Sequence, residues 1–519
     1  MTTANPPRAG RREWLGLAVI ALPSLLYSMD LTVLYLAVPS LTQDLQPSSS
    51  ELLWITDIYG FLIAGLLITM GTLGDRIGRR RLLLIGAAGF GAASVVAAFS
   101  TSAEMLIAAR AVLGVAAATL APSTLSLIRN MFHDPAQRTV AIGLWVTSYS
   151  VGAAIGPLVG GLLLESFWWG SVFLVGVPVM VLLLVVGPRL LPEFRDPDPG
   201  RFDVASAALS LVSVLAVIYG VKRVAEVGFG PQAALSIAAG LVVGVAFLYR
   251  QGKLSDPMID LRLFRVPSFS ASLAANGLAL FAVFGVDLFI AQYLQLVLGM
   301  GPFEAGLWTL PSAAGFIVGS MLAPVISRAV RPATVVAGGL AVAGLGVAML
   351  TQVGADSGLA LLSFGSVVMA LGAAQVVTLS TDLIVAAAPP ERAGTASGLS
   401  ETGTELGGAL GIAILGSIGT AVYRGQVSDA VPDGVPTGAA DAVRDTLGGA
   451  VGVADRLPAG LIEAATDAFA QGMQLAAAAS AVLMLGMAAL AARLLRERST
   501  DEHPAQAREQ ADVAPVIAG

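Results

Sequence analysis

The chain has 519 residues, 56% of them hydrophobic and 12% charged, with a net charge of −6 and a mean hydropathy of +0.80. Because soluble domains carry about 25% charged residues, this composition excludes a soluble globular protein and predicts an all-α integral membrane protein. The chain has no cysteine and two histidines, both in predicted polar segments. Disulfides, thiolate metal sites and a histidine metal site within the membrane are therefore excluded. No cofactor, enzymatic activity or nucleic acid partner is predicted.

Apolar runs predict fourteen transmembrane helices. In chain order they lie near 14–36, 52–72, 82–99, 104–128, 139–164, 171–188, 203–221, 231–249, 269–297, 303–326, 333–352, 357–387, 394–422 and 467–494. Most arginines fall on one side of this arrangement, including the cluster at 76–81. The segments on the other side hold only Lys222, Arg223, Arg424, Arg444 and Arg456. Because basic residues accumulate in cytoplasmic segments, both termini are predicted to be cytoplasmic.

Two polar linkers divide the predicted helices into groups of six, two and six. The predicted segments are an N-terminal six-helix bundle at 1–188, two linking helices at 189–265, a C-terminal six-helix bundle at 266–498 with an external loop at 424–466, and a disordered tail at 499–519. The loop at 71–81 has a partial counterpart after the tenth predicted helix. This counterpart retains Gly319, Pro324, Arg328 and Arg331. The two bundles are therefore predicted to be parallel repeats that hold substrate between them.

The loop after the second predicted helix carries the clearest family signature. It reads G-T-L-G-D-R-I-G-R-R-R at 71–81, and this pattern between two apolar helices resembles the signature loop of major facilitator superfamily transporters. We expect it to act as a cytoplasmic gate in which Asp75 meets the positively polarised start of the thirteenth predicted helix. The residues assigned to gating are Gly71, Gly74, Asp75, Arg76, Gly78, Arg79, Arg80 and Asp382.

Acids inside predicted spans are the strongest functional candidates, because a charge there is costly and usually retained for a task. Asp30 and Asp57 lie in the outer halves of the first two helices, at a similar depth of about 8–10 Å. Such a pair could hold protons or neutralise a cationic ligand. Alternatively, Asp30 is a hydrogen-bonded structural residue and Asp57 a solvated residue near a helix start.

A buried arginine and three further acids complete the candidate set. Arg110 in the fourth predicted helix needs a carboxylate or carbonyl partner, so it could report the protonation of an acid, although snorkelling or a structural ion pair would also explain it. Asp287 lies among phenylalanines that either suit a flat cation or face lipid; these are Phe281, Phe284 and Phe289. Glu401 and Glu405, one turn apart, are expected in the inner half, serving cation entry or the inner gate.

Three motifs resemble those of drug:proton antiporters. The first helix reads D-L-T-V-L-Y-L-A-V-P at 30–39, departing from the family at Tyr35, where a polar amide is common. W-I-T-D-I-Y at 54–59 is similar to the quaternary-ammonium and dye exporter branch. The fifth helix reads G-A-A-I-G-P-L-V-G-G and resembles the antiporter motif, with Gly152, Gly156, Pro157, Gly160 and Gly161. The resemblance implies a role for Arg110 in proton transfer.

The predicted function is a proton-coupled antiporter that exports lipophilic cationic drugs and dyes across the bacterial cytoplasmic membrane as a monomer. We expect Asp30 to contribute most to proton coupling, Asp57 next and Glu405 least. The tenth predicted helix has no acid within its span, so monovalent cations are expected to be favoured over divalent ones. The alternatives are an exporter dedicated to one antibiotic or metabolite and a nutrient importer.

Overall fold

The computed structural model describes residues 8–47, 49–197, 203–255, 257–354, 359–432, 435–458 and 460–513. These described residues form α-helices joined by short connections, and none of them lies in a β-strand. The helices are α1 (Arg11–Leu45), α2 (Ser49–Ile77), α3 (Arg79–Ala98), α4 (Ala103–Met131), α5 (Pro135–Ser166), α6 (Ser171–Leu174), α7 (Gly176–Leu190), α8 (Val204–Val227), α9 (Pro231–Gln251), α10 (Pro267–Gln292), α11 (Pro302–Ile326), α12 (Pro332–Leu350), α13 (Leu359–Ala387), α14 (Ala393–Ala430), α15 (Thr437–Asp445), α16 (Leu447–Gly452) and α17 (Leu461–Val513).

Every predicted span has a helical counterpart, and α6 and α7 together form the sixth. Thirteen helices of the described residues are long and apolar enough to cross a membrane, so this is a multi-pass membrane protein. α1 has 35 residues but falls outside that set. The side chains of Thr32, Tyr35 and Pro39 in its motif lie outside the described residues. The total of fourteen spans therefore stays a prediction.

α8 is longer than predicted, and this extension changes the site. The apolar run ends at 221, and the sequence places Lys222 and Arg223 in an external segment, but the helix continues to Val227. Helix-compatible residues follow Lys222, and Gly228, with a φ of 83°, ends the helix in the left-handed region that favours glycine. Lys222 is consequently a helical residue that can reach inward along α8.

One of the two linking helices, α8, packs against both predicted bundles. α8 contacts α9, α2 and α14, so it lies along the seam between the N-terminal and C-terminal groups of helices. At its start, Asp203 caps the helix and accepts hydrogen bonds from Arg250 of α9. That hydrogen bonding lowers the pKa of Asp203 to about 2, so the carboxylate stays charged and fastens the hairpin at physiological pH.

In the C-terminal part, α14 is longer than the sequence predicts. α14 continues to Ala430, and the short helices α15 and α16 follow within the predicted external loop. Tyr423 of α14 donates a hydrogen bond of 2.8 Å to the carbonyl of Val443, which fastens α15. α17 ends at Val513, and the predicted disordered tail at 499–519 stays a prediction. The prediction of separate bundles and linkers stays untested by these contacts.

Single cysteines test the predicted orientation, because the chain contains none of its own. A cysteine at Phe229 or at Asp441, which are 79% and 78% exposed, should react with an impermeant thiol reagent in intact cells. A cysteine at the exposed Arg195 should react only after the membrane is opened. Reaction at 195 in intact cells would reverse the proposed orientation.

Candidate functional site

A cavity of about 320 Å³ lies between helices of the two predicted bundles and α8. We name it the central cavity. Its charged lining residues are Asp57 of α2, Arg110 of α4, Lys222 of α8 and Glu405 of α14. Phe61 and Phe284 supply aromatic surface. Its size lies at the lower end of the range for small-molecule sites, and its mixture of apolar walls with few charged groups is typical of them.

Asp57 is not a solvated residue at the start of a helix. It forms an ion pair with Lys222, whose Nζ atom also lies 4.7 Å from the centre of the Phe61 ring. The Asp57 and Lys222 side chains are 19% and 38% exposed, so the pair is partly open to the cavity. The sequence missed Lys222 because its position follows the end of the apolar run, and only the tertiary contact reveals its partner.

Arg110, which lines the cavity, forms an ion pair with Asp30, which does not line it. Arg110 Nη1 lies 2.6 Å from Asp30 Oδ2, and Nε donates a 3.1 Å hydrogen bond to the carbonyl of Ile55. The guanidinium also lies over the Tyr59 ring, 4.5 Å from its centre. Asp30 and Arg110 are buried, so Arg110 has found the carboxylate that its burial requires. Asp30 and Asp57 thus have different basic partners.

Glu405 is held by a tyrosine. The Tyr27 hydroxyl of α1 donates a 2.8 Å hydrogen bond to Glu405 Oε1, and the Tyr27 ring packs against Tyr59 and Tyr149. Glu405 lies twelve residues into α14, about 18 Å from its start, and lines the same cavity as Asp57. Glu405 therefore stays in the first half of α14, and its role in cation entry or at the inner gate stays a prediction. Tyr27 lies three residues before Asp30, and this helical spacing places the two residues on one face of α1. The spacing alone could have identified Tyr27 as a site residue.

Glu401 and Asp287 are the remaining acids of the candidate set. Glu401 is 8% exposed and lies one turn before Glu405 on α14. Asp287 lies in α10, one turn from the cavity-lining Phe284. Among the described residues, neither carboxyl group has an ion pair or hydrogen bond of its side chain. Both therefore lie near the site without a fixed polar partner.

The phenylalanines of α10 pack inward. Phe284 lines the central cavity, and Phe289 is buried against Phe469 at a ring distance of 6.0 Å. The backbone of Phe281 touches α14, because a Cβ atom on Gly411 would come within 2.0 Å of the Phe281 carbonyl. The glycines of α14 at 407 and 411 therefore form the surface that allows α10 to approach.

The glycine motif of α5 serves a comparable close contact with α1. A Cβ atom on Gly152 would lie 2.1 Å from the carbonyl of Leu25, so no larger residue fits without displacing a helix. Gly156 and Gly160 are buried, whereas Gly161 faces open space. The side chain of Pro157 lies outside the described residues. The motif thus fixes α1, which carries Asp30 and Tyr27, against α5.

Asp75 meets the start of α14 as the sequence predicts. Its two carboxylate oxygens accept hydrogen bonds from the backbone N–H groups of Gly394 and Thr395, at 2.9 and 3.0 Å. Arg79 donates to Asp75 at 2.9 Å and to the carbonyl of Pro390 at 2.5 Å. Gly71 permits the contact, since a Cβ atom there would lie 2.2 Å from the carbonyl of Gly394. These bonds join α2 to α14.

The rest of the loop holds this arrangement in place. Arg80 donates to the carbonyls of Pro188 and Leu191, which anchors α3 to the end of α7. Gly78 has a φ of 108°, a conformation that requires glycine. Gly74 packs closely on α3, and Arg76 lies with Asp75 around a small cavity.

Asp382 makes a second contact between the bundles at the same end. Arg138 Nε and Thr139 Oγ1, both of α5, each donate a 2.6 Å hydrogen bond to one oxygen of Asp382 in α13. All three side chains are buried. Along α2, Asp75 lies eighteen residues from Asp57, or about 27 Å. The two bundles are therefore joined at the end that carries Asp75 and Asp382. The central cavity lies well away from that end.

Comparison with known proteins agrees with this arrangement. The sequence matches the Major Facilitator Superfamily over residues 20–412. It is 44% identical to the multidrug efflux pump LfrA of Mycolicibacterium smegmatis, over 94% of this chain and 97% of that protein. It is 35% identical to the methyl viologen resistance protein SmvA of Salmonella typhimurium (92% and 97% covered) and 33% identical to the tetracenomycin C resistance and export protein of Streptomyces glaucescens (97% and 97%). The human organic anion transporter MFSD10 shares the fold, with a TM-score of 0.59 at 15% identity over 91% of this chain and 99% of that one.

Proposed function

Because the chain belongs to the major facilitator superfamily, and is therefore a membrane transporter of small molecules, we propose that it exports lipophilic cations in exchange for protons. The central cavity carries this proposal. Asp57 and Glu405 offer carboxylates beside the rings of Phe61 and Phe284, the combination that attracts a flat cation by charge and by cation–π contact.

The relatives support export of drugs rather than uptake of nutrients. Their names describe a multidrug efflux pump, a methyl viologen resistance protein and a tetracenomycin C export protein. A cavity with acids and aromatic rings is the kind of site that a lipophilic cation requires, so a broad range of cationic drugs and dyes is the proposed substrate class.

The two contacts between the bundles supply the proposed gate. Asp75 and Asp382 join helices of the two bundles at one end of the structure, and the arginine distribution favours a cytoplasmic location for that end. We propose that the structure represents the carrier with its cytoplasmic side closed, and that both contacts separate when the cavity opens inward. Protons and cations then compete for the same carboxylates on opposite sides of the bacterial cytoplasmic membrane, which is sufficient for antiport.

Ethidium retention in a host that lacks its own efflux pumps tests this function. Cells that express the protein should accumulate less ethidium than cells with an empty vector, because outward transport opposes its entry. Addition of a protonophore should abolish the difference by collapsing the proton gradient that supplies the energy. An exposed substitution, Glu463→Gln, serves as an expression control. Efflux that persists after the gradient has collapsed would contradict proton coupling.

A further inference from the structure

The central cavity contains a cation of its own. Lys222 Nζ is ion-paired with Asp57 and lies 4.7 Å from the centre of the Phe61 ring. These two contacts, a carboxylate and an aromatic face, are those that a lipophilic cationic substrate would seek in the same cavity. The lysine thus occupies one of the binding positions that the cavity offers.

Lysine is an exceptional choice in this chain. Of its 29 basic residues, only Lys222 and Lys253 are lysines. An arginine at 222 could bind a carboxylate through two parallel hydrogen bonds, whereas a lysine ammonium is a compact charge on a flexible stem. The Lys222 side chain is 38% exposed. It is therefore suited to neutralise Asp57 without being locked in place.

The carboxylates around the cavity outnumber the basic residues by one. The carboxylates that line it or bind its lining residues are Asp30, Asp57 and Glu405, and the basic residues are Arg110 and Lys222. Two ion pairs join Asp30 to Arg110 and Asp57 to Lys222, and among the described residues Glu405 is left with the neutral Tyr27 hydroxyl as its partner. Glu401 and Asp287 do not line the cavity, so within this set one negative charge is left over, which matches a substrate with one positive charge.

Resting on the proposed export of cations, we infer that Lys222 is a tethered cation that neutralises Asp57 and thereby restricts the central cavity to substrates with a single positive charge. Removal of the lysine charge releases Asp57, and the cavity then holds two carboxylates for an incoming ligand. Lys222 is thus a specificity-determining residue that α8, one of the two helices between the bundles, contributes to the site.

Two ligands of almost equal shape test this inference. 1-Methyl-4-phenylpyridinium and methyl viologen both consist of two linked aromatic rings, but the second carries one more positive charge. Their dissociation constants are measured by calorimetry on the purified full-length protein. Wild type should bind the monovalent ligand more tightly, and Lys222→Met should shift the ratio of the two constants at least about tenfold towards methyl viologen, the change that about 1.4 kcal/mol produces.

Three further variants separate charge from packing. Lys222→Arg keeps the charge and should keep the wild-type ratio. Arg223→Met removes the adjacent charge, which contacts Gln232 of α9 instead, and should also leave the ratio unchanged. The double variant Asp57→Asn/Lys222→Met restores a surplus of one carboxylate and should return to the wild-type ratio. Binding by this double variant would also show that methionine at 222 is tolerated by the fold.

The outcomes distinguish this inference from the proposed function. If wild type binds neither ligand, the proposed function fails and the inference with it. If wild type binds the monovalent ligand and Lys222→Met keeps the wild-type ratio, cation export stands and the role of Lys222 is wrong. A ratio that stays shifted in the double variant would also overturn the inference, because the effect would then come from space in the cavity and not from Asp57.

Discussion

Asp75→Asn is expected to slow substrate transport about ten- to a hundred-fold while substrate affinity stays within about threefold of wild type. The Asp75 carboxylate accepts two backbone hydrogen bonds from Gly394 and Thr395 and a third from Arg79. Asparagine would direct an N–H donor towards at least one of these donors and would remove the charge that the start of α14 favours. The state closed at this end would lose stability, and the transport cycle would stall.

Transport is measured as ethidium counterflow in proteoliposomes, and binding as ethidium fluorescence in detergent. Arg81→Gln is the matched control, because Arg81 belongs to the same loop but its side chain is exposed. That variant should transport at the wild-type rate. Loss of ethidium binding by correctly inserted Asp75→Asn protein would contradict a gating role and would indicate that Asp75 supports the cavity instead.

The gate was the part most accessible from the sequence, because its signals are local. Glycines and arginines at 71–81 mark a tight loop that cannot enter lipid. An acidic side chain in such a loop is stabilised by the positively polarised start of a helix. The partner, α14, could be named because Asp75 and the beginning of that helix are both expected at the cytoplasmic side. The bonds to Gly394 and Thr395 confirm this juxtaposition. Its role in gating stays a proposal.

The charge pairing in the cavity was only partly predictable. Arg110 stands inside a clear apolar run, so its need for a carboxylate follows from burial alone, and the structure supplies Asp30. Lys222 directly follows the end of an apolar run, and a lysine at such a position is more often directed towards water. Its inward position depends on how α8 packs against α2 and α14, which no local pattern records.

That Glu405 shares a cavity with Asp57 could not be predicted for a related reason. Glu405 lies twelve residues into the 38-residue α14, in the half that begins at the Asp75 contact, and yet it lines the same cavity as Asp57. The structure therefore changes the expected order of importance among the acids. Asp30 and Asp57 already have basic partners. Glu405 accepts a hydrogen bond from Tyr27 and is the cavity acid whose charge those partners do not balance.

Glu405→Gln is accordingly expected to abolish the proton release that accompanies substrate binding and to weaken binding at least about tenfold. An acid without a basic partner in a cavity of low polarity can be neutralised only by a proton or by an incoming cation, so a cation that binds there displaces a proton. A carboxylate and a cation about 4 Å apart attract each other by about 4 kcal/mol near a protein surface. Loss of part of that energy accounts for the weaker binding.

The measurement is the pH change of weakly buffered, detergent-purified protein near neutral pH after ethidium is added. Asp57→Asn is the matched control, since it removes an acid from the same cavity that is already paired with Lys222, and it should retain most of the proton release. Asp30 is tested in Asp30→Asn/Arg110→Met, because Asp30→Asn alone would leave a buried guanidinium unpaired at a cost of about 3–5 kcal/mol. Wild-type proton release by Glu405→Gln, together with none by the Asp30 double variant, would assign the proton to Asp30 instead.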